Sequence, residues 1–298
     1  MSHPERVTIT ESASRDGLQS LGALVPTEAK ARLIDDLAGA GLASFDAVSF
    51  VSPKWVPQMA DGAEVVAAVK SSGIRMIGLV PNMVGLENAV EAGVTEIGVL
   101  TAASDAFSQR NINASVDESM HRIRRIVFEG PLDLTFRAYV STATHCPYEG
   151  PQDPDWVAYL VETLVEWGVE EVFLGETIGQ ATAIDIERLL DEVLDRVPVE
   201  RVGVHFHDTY GQAIANTVVA LGRGIDKMDS SAGGLGGCPY APGASGNVAT
   251  EDLIFLLDGL GIEHGVDLAG VARVATDFCE SQGLTYGSRA GRAALATL

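Results

Sequence analysis

The sequence predicts an α/β protein built as a (β/α)8 barrel, or TIM barrel, with an extra C-terminal helix. Eight short runs, most of them containing β-branched residues, alternate with longer stretches of helical periodicity, which is typical of parallel strands joined by helices. The 298 residues, 46% of them hydrophobic, are enough for a large core. A doubly wound open sheet is the alternative, but no G-x-G-x-x-G motif follows the first strand. We expect residues 1–298 to form one barrel domain.

The eight predicted strands are short segments of β-branched and apolar residues, each followed by polar or glycine-containing sequence. In chain order they span 7–13, 45–51, 75–81, 96–102, 134–141, 171–177, 202–208 and 227–233.

The predicted helices show apolar residues at helical spacing between these strands. Ser115 is a candidate N-cap, because acidic residues follow it in the first turn. After about residue 262 the chain continues into a helical pattern over 267–283, which we expect to lie against the barrel as a C-terminal extension. The clearest helical patterns within the barrel span 27–42, 114–130 and 183–198.

The charge of the chain excludes several classes of partner. A net charge of −21 and a pI of about 4.5 disfavour binding to nucleic acid and to anionic membranes. The N-terminal segment lacks the charged and apolar regions of a signal peptide, and no apolar run reaches the length of a membrane span. Three scattered cysteines do not form a disulfide framework. We therefore expect a soluble, cytoplasmic protein.

Polar side chains collect at the predicted C-terminal ends of the strands, where TIM barrels place their active sites. The strand at 202–208 carries His205 and His207, whose side chains point to the same face because they are two residues apart. The pair can share a divalent metal, or each imidazole can be satisfied by backbone carbonyl groups. Other residues expected at this rim are Arg15, Asp16, Asp46, Arg137, Tyr139 and Glu176.

Asp16 follows the first strand and supplies a carboxylate near the two imidazoles. With open positions beside it, an Asp, His and His set suits Mg²⁺ or Mn²⁺, and zinc is an alternative. Arg15 could hold an anionic oxygen or a developing enolate next to the cation. Glu176 ends the sixth strand, where either a histidine or a basic side chain could be its partner.

The segment 233–247 is rich in glycine and is expected to cover the barrel mouth as a loop. It carries Cys238 between a glycine and a proline, away from the apolar neighbours typical of a structural cysteine. This context favours a reactive thiol that donates a proton. Asn247 ends the loop and could add a neutral oxygen ligand.

Together these residues resemble the 3-hydroxy-3-methylglutaryl-CoA lyases over nearly the whole chain. The matching stretches include RDGLQ (15–19), SFVSPKWVPQM (49–59), HFHDTYGQAIANT (205–217) and GLGGCPYAPGASGNVATEDL (234–253). The last is the most specific, since its glycine loop and cysteine distinguish the lyases within a superfamily that also contains isopropylmalate synthases and carboxyltransferase domains.

The resemblance implies a retro-Claisen cleavage of an acyl-CoA thioester to acetyl-CoA and acetoacetate. It implies that Asp16, His205, His207 and Asn247 bind a divalent metal, Mg²⁺ or Mn²⁺. Arg15 matches the arginine that stabilises the enolate, and Cys238 matches the loop thiol. A homodimer is expected by analogy with this superfamily.

The chain departs from the family pattern at three places. The family usually has glutamate where Asp46 stands and aspartate where Glu176 stands, and it continues RDGLQ with Asn-Glu-Lys, where this chain has Ser20-Leu21-Gly22. These differences leave the identity of the 3-hydroxyacyl group open. Rival functions are a condensing acyltransferase, an aldolase or a biotin-dependent carboxyltransferase of the same superfamily, and a binding protein of weakened activity.

Overall fold

The computed structural model describes residues 3–237 and 246–297. Each of the eight barrel strands in this part of the chain begins within one residue of its predicted start. They are β1 Thr8–Glu11, β2 Ser44–Ser49, β3 Arg75–Leu79, β4 Glu96–Ala102, β5 Thr135–Ser141, β6 Glu171–Glu176, β7 Val202–Phe206 and β8 Lys227–Ser230. All are parallel and follow one another in sequence order around the barrel, which closes where β1 pairs with β8. The predicted (β/α)8 barrel is confirmed.

The helices pack around the outside of the barrel, and the three clearest predicted patterns are all helical. Ser115 caps α5 as predicted, in a capping box in which Ser115 and Glu118 each accept the other's backbone N–H. The helices preceding the C-terminal extension are α1 Thr27–Gly39, α2 Gly62–Ala68, α3 Met83–Glu91, α4 Asp105–Ile112, α5 Val116–Glu129, α6 Pro154–Glu166, α7 Ala183–Leu194, α8 Ala213–Gly222 and α9 Thr250–Leu260.

The C-terminal extension contains the predicted extra helix, α10 Leu268–Gln282, and a second helix, α11 Arg289–Leu295, that the sequence pattern does not indicate. Only Gly291 of α11 is buried, and the segment therefore lacks the apolar face that identifies a helix in sequence. What starts α11 is a capping interaction: Ser288 accepts the Gly291 N–H at 2.9 Å and donates to Asp252 at 2.7 Å. None of the helices described is long and apolar enough to cross a membrane.

The barrel interior holds one small apolar layer, and a separate, larger core lies between the strands and the helices. Leu79, Tyr139 and Phe173 form the interior layer, with Leu100 packed against them. Tyr139 and Phe173 are tilted rings with centroids 5.8 Å apart. This layer forms the floor on which the polar groups of the upper rim stand.

Arg137 lies inside the barrel below that floor, and the expectation that it faces the rim is wrong. It donates to Glu171, the first residue of β6, at 3.1 and 2.7 Å, and to Thr10 at 3.1 Å. Its guanidinium carbon lies 4.2 Å from the centroid of the Phe173 ring. The reason is strand position: Arg137 is the third residue of a seven-residue strand, so its side chain points inward well before the C-terminal end.

Candidate metal centre and active site

The candidate site begins in the turn that follows β1. Residues Ala13–Gly17 form a single π-helical turn that carries Arg15 and Asp16. Such turns are rare and occur frequently at functional sites. His205 belongs to β7, and His207 follows one residue past its end, so both histidines also stand at the C-terminal side of the barrel.

Buried side chains fix this turn between its two neighbouring strands. The hydroxyl of Ser12 donates to the carbonyl of Ser230 at 2.9 Å, and that of Ser14 donates to the carbonyl of Ala47 at 2.9 Å. The turn is thus attached to β8 on one side and to β2 on the other. This attachment sets where the carboxylate of Asp16 can point.

Asp16, His205 and His207 come together at one point above the barrel floor. Asp16 Oδ2 lies 3.8 Å from His205 Nε2 and 3.9 Å from His207 Nε2, and the two Nε2 atoms are 3.3 Å apart. All three ligand atoms lie within 4.8 Å of one another. Ligand atoms each about 2.1 Å from one ion are separated by about 3.0 Å when they subtend a right angle. The three side chains could therefore bind one divalent cation if the distances between their ligand atoms shortened slightly.

The protonation states also suit metal binding. Burial opposes ionisation of Asp16, but Arg15 and the two histidines outweigh it and hold the pKa of this carboxyl well below its usual range. Burial, reinforced by the neighbouring His205, lowers the pKa of His207 to about 4. Near neutral pH the site therefore presents a carboxylate and a neutral imidazole at these positions, the forms that ligate metal.

Asp229 orients His205 and was not identified from the sequence. Its Oδ2 lies 3.1 Å from His205 Nδ1, which directs Nε2 toward Asp16 and His207. Burial lowers the pKa of His205, but the hydrogen bond and charge of Asp229, with the charge of Asp16, raise it overall. A carboxylate behind a ligating histidine is a recurrent feature of metal sites. Only the register of β7 and β8, in which Asp229 pairs with His205, places this carboxylate behind the imidazole.

Asn247 completes the group. It forms an antiparallel bridge with His207, and its Nδ2 donates to Asp16 Oδ2 at 2.9 Å and to the carbonyl of Leu235 at 3.2 Å. Its Oδ1 is buried and has no hydrogen-bond partner among the residues that the structure describes, and the same holds for His207 Nδ1. A buried amide oxygen without a protein partner can serve as a neutral metal ligand, and this one belongs to a residue that contacts Asp16.

Arg15 connects the metal group to Asp46. Its Nη1 donates to Asp16 at 2.9 Å, while Nε donates to Asp46 Oδ2 at 2.8 Å and Nη2 contacts the same oxygen. Burial raises the pKa of Asp46 despite the opposing charge of Arg15. The guanidinium also lies 5.9 Å from the centroid of the Tyr139 ring. Asp46 therefore positions Arg15 beside the metal group and shares its charge.

Glu176 occupies a different environment from the one expected. Its carboxylate accepts the hydroxyl of Thr144 at 3.4 Å and the backbone amides of Gln180 and Ala181 at 3.2 and 3.3 Å. No histidine or basic side chain pairs with it among the described residues. Burial raises its pKa to about 7. The carboxyl instead holds the loop that follows β6.

Glu176 should give the protein a measurable pH dependence of stability. Its pKa is raised from 4.5 to about 7 on folding, so its contribution is fully present below pH 4.5 and is lost as pH rises through 7. Glutamine cannot ionise, so Glu176→Gln removes this loss. Between pH 5 and pH 8 we expect the free energy of unfolding of the variant to rise by up to about 3 kcal/mol relative to that of the parent. Urea denaturation at the two pH values measures it, with Glu91→Gln on the exposed face of α3 as control. An equal difference at both pH values would contradict the prediction.

Cys238 lies outside the described residues, as does the rest of 238–245, so its predicted role stays a prediction. The described chain reaches Gly237 on one side and resumes at Gly246, where the Gly246 carbonyl accepts the Asp208 N–H at 3.0 Å. Gly246, which follows this segment, therefore precedes Asn247 and contacts the backbone of the residue after His207.

Comparisons with known proteins agree with this geometry. A family model described as HMGL-like matches residues 6–277. A 3-hydroxy-3-isohexenylglutaryl-CoA/hydroxy-methylglutaryl-CoA lyase of Pseudomonas aeruginosa is 47% identical over 298 residues and 99% of each chain. The crystal structure of hydroxymethylglutaryl-CoA lyase from Pseudomonas aeruginosa matches with a TM-score of 0.96 at 46% identity, covering 100% of both chains.

A fourth comparison adds a ligand-bound relative. An HMG-CoA lyase from Acinetobacter baumannii, solved in complex with coenzyme A and 3-methylmalate, matches with a TM-score of 0.93 at 33% identity over 98% of this chain and 96% of that one. The resemblance inferred from the sequence motifs is confirmed. Because the family model and the full-length relatives agree, the chain belongs to the HMGL-like family, among the hydroxymethylglutaryl-CoA lyases.

Proposed function

We propose that this protein is a metal-dependent carbon–carbon lyase that cleaves 3-hydroxy-3-methylglutaryl-CoA, or a closely related 3-hydroxyacyl-CoA, to acetyl-CoA and acetoacetate or the corresponding 3-keto acid. The observation that carries the proposal is the convergence of Asp16, His205 and His207, with Arg15 ion-paired to the first of them. The relative solved with coenzyme A supports an acyl-CoA thioester as the substrate.

The metal would be held by Asp16, His205, His207 and Asn247, and we propose Mg²⁺ or Mn²⁺. Two oxygen and two nitrogen donors with open positions suit these ions. A cation bound there would supply Lewis acidity that lowers the pKa of the substrate's tertiary hydroxyl.

Arg15 would stabilise the charge that develops as the carbon–carbon bond breaks. A base takes the hydroxyl proton, the hydroxyl carbon becomes a ketone, and the electron pair of the broken bond passes to the thioester as an enolate. Arg15 is a buried cation already held by Asp46 and Asp16, so it can receive this negative charge without reorganising. Glu176 remains a candidate acid or base, since a pKa of about 7 suits proton transfer near neutral pH.

The alternative is a condensing acyltransferase or aldolase of the same superfamily. Incubating the metal-loaded protein with a panel of 3-hydroxyacyl-CoA thioesters, and identifying products by mass spectrometry, separates the proposals. We expect acetyl-CoA and a 3-keto acid from at least one thioester. The Pseudomonas aeruginosa relative, whose name includes an isohexenyl substrate, supports adding thioesters with longer 3-alkyl groups. Product formation only when acetyl-CoA is supplied as a co-substrate would favour the condensing enzyme.

Cys238 is proposed as the acid that protonates the acetyl-CoA enolate. Cys238→Ala should lower turnover by a factor on the order of 10²–10⁴, the range for a positioned proton donor, while Mn²⁺ binding persists because sulfur is not among the proposed ligands. Iodoacetamide should label Cys238 faster than Cys146 or Cys279, both of which are buried. Cys279→Ala is the matched control. Unchanged turnover in Cys238→Ala would exclude the thiol as proton donor.

We further propose that residues 1–298 act as a single catalytic domain, that the protein is cytoplasmic, and that it forms a homodimer. The strong acidic charge supports the absence of nucleic acid and anionic membrane partners. Light scattering across the micromolar range tests the dimer, and a monomer mass throughout that range would contradict it.

A further inference from the structure

The turn after β8 is held by buried carboxylates. Ala232 donates its backbone N–H to Glu11 at 2.9 Å, and Gly233 donates to both oxygens of Glu251 at 3.0 Å. The carbonyl of Gly233 accepts the N–H of Gly287, which lies between α10 and α11, at 2.7 Å. Both polar backbone groups of Gly233 are therefore bound by residues from outside the barrel strands.

Tyr286 fixes Glu251 in this position. Its hydroxyl donates to Glu251 Oε1 at 2.8 Å, and its ring covers Gly233, where an added Cβ would lie 3.1 Å from a ring carbon. Helix α11 closes over the phenol at Gly291, where a Cβ would lie 1.8 Å from the hydroxyl oxygen. Only glycine permits that approach. The phenol is thus enclosed between Gly233, Glu251 and α11.

The other side of the same turn contacts the metal group. Leu235, two residues after Gly233, accepts the Asn247 Nδ2–H at 3.2 Å, and this Nδ2 also donates to Asp16 at 2.9 Å. With its nitrogen held in this way, the amide presents Oδ1 as its unpaired atom. The Leu235 carbonyl, together with Asp16, therefore holds the amide nitrogen of Asn247 and leaves Oδ1 as the atom available as a ligand.

We propose that Tyr286 and Glu251 are positioning residues for the metal centre, acting through the Gly233–Leu235 turn on the amide of Asn247. The inference rests on the proposed metal site and extends it, because it makes the segment joining α10 to α11 a part of that site. Glu251 has no basic partner among the described residues. Burying a carboxylate costs free energy of desolvation. In the described part of the chain, the Glu251 carboxylate accepts hydrogen bonds from the Gly233 N–H and the Tyr286 hydroxyl, which fits a side chain that holds these two groups in place.

The test is the Mn²⁺ dissociation constant, measured by electron paramagnetic resonance on the full-length protein. Tyr286→Phe keeps the ring over Gly233 and removes the hydroxyl, so the protein should fold. We expect Mn²⁺ to bind about tenfold more weakly, in the lower part of the range for partners that orient a ligand. Glu251→Gln should weaken binding similarly, because its NH₂ group cannot accept the hydrogen bonds that the carboxylate oxygen accepts.

The matched control is Asp267→Ala, which removes the side chain that caps α10 by accepting the Ala269 N–H at 3.0 Å. It destabilises the same C-terminal extension without touching the turn, and Mn²⁺ affinity should match the parent. Parent-like affinity in both Tyr286→Phe and Glu251→Gln would overturn the inference alone. An equal loss in Asp267→Ala would also overturn it, since the effect would then follow from general destabilisation. A parent that binds no Mn²⁺ would overturn the proposed metal site and the inference together.

Discussion

Asp16→Asn should weaken Mn²⁺ binding by at least about 100-fold and abolish turnover at micromolar metal. Removing a residue that only orients a metal ligand lowers metal affinity by about 10–100-fold, and removing a ligand itself should lower it further. Asp16 is the only anion among the four proposed ligands, and Arg15 stands next to it. Without the charge of Asp16, a divalent cation would have only neutral donors and would lie beside the positively charged guanidinium of Arg15. Isothermal titration with Mn²⁺ measures the affinity.

The control for this substitution lies three positions from His205. Asp208→Asn makes the same chemical change in a carboxylate that accepts the Ala213 N–H at 2.9 Å and does not join the metal group. We expect its Mn²⁺ affinity to equal that of the parent. If Asp16→Asn binds Mn²⁺ as tightly as Asp208→Asn does, Asp16 is not a ligand and the proposed site is wrong.

Arg15→Met should lower kcat/KM by a factor on the order of 10²–10³, the usual cost of removing a donor to a developing oxyanion. Mn²⁺ affinity should be retained or increased, because a cation next to the metal has been removed. The two variants should therefore differ, because Asp16→Asn weakens Mn²⁺ binding whereas Arg15→Met retains it. Lysine should not restore the rate, since one ammonium cannot reach both Asp46 and Asp16 as the guanidinium fork does. If Arg15→Lys has the same kcat/KM as the parent, only the positive charge at position 15 matters for the reaction.

The stability of this variant needs its own control, because Arg15→Met leaves Asp46 buried without its partner. Breaking a buried pair in this way costs about 3–5 kcal/mol. The double variant Arg15→Met/Asp46→Asn removes both charges and should recover most of that loss while turnover stays low. Recovery of turnover together with stability would show that Arg15 serves folding and not the reaction.

Much of the barrel could be predicted because its signals are local. Short runs between helical patterns, most of them containing β-branched residues, identified every strand start to within one residue, and the i, i+2 spacing of His205 and His207 identified a shared face. Asp16, Asn247 and Arg15 could be added only through the barrel prediction and the family resemblance, because the spacing of His205 and His207 says nothing about residues so far away in the chain.

The remainder depends on tertiary register, which local patterns do not encode. Asp229 was not identified because only its alignment with His205 across β7 and β8 reveals its role. Arg137 was assigned to the wrong level of the barrel because depth along a strand depends on how adjacent strands are staggered. Helix α11 was not predicted because a hydrogen-bonded cap starts it, with no apolar face to mark it.

The hydrogen bond between Asp16 and Asn247 joins residues 231 positions apart, across the place where β8 closes against β1. Closing so long an intervening chain carries an entropic cost that this contact must offset. The ligand set therefore exists only after the last strand has docked on the first, and a folding intermediate open at that junction would hold the ion weakly. Metal that binds only the closed chain raises the free energy of unfolding as its concentration rises. An increase of the thermal unfolding midpoint with Mn²⁺ concentration would thus show that the ion binds the closed barrel. In the cell, the bound ion would then oppose reopening of the barrel between β8 and β1.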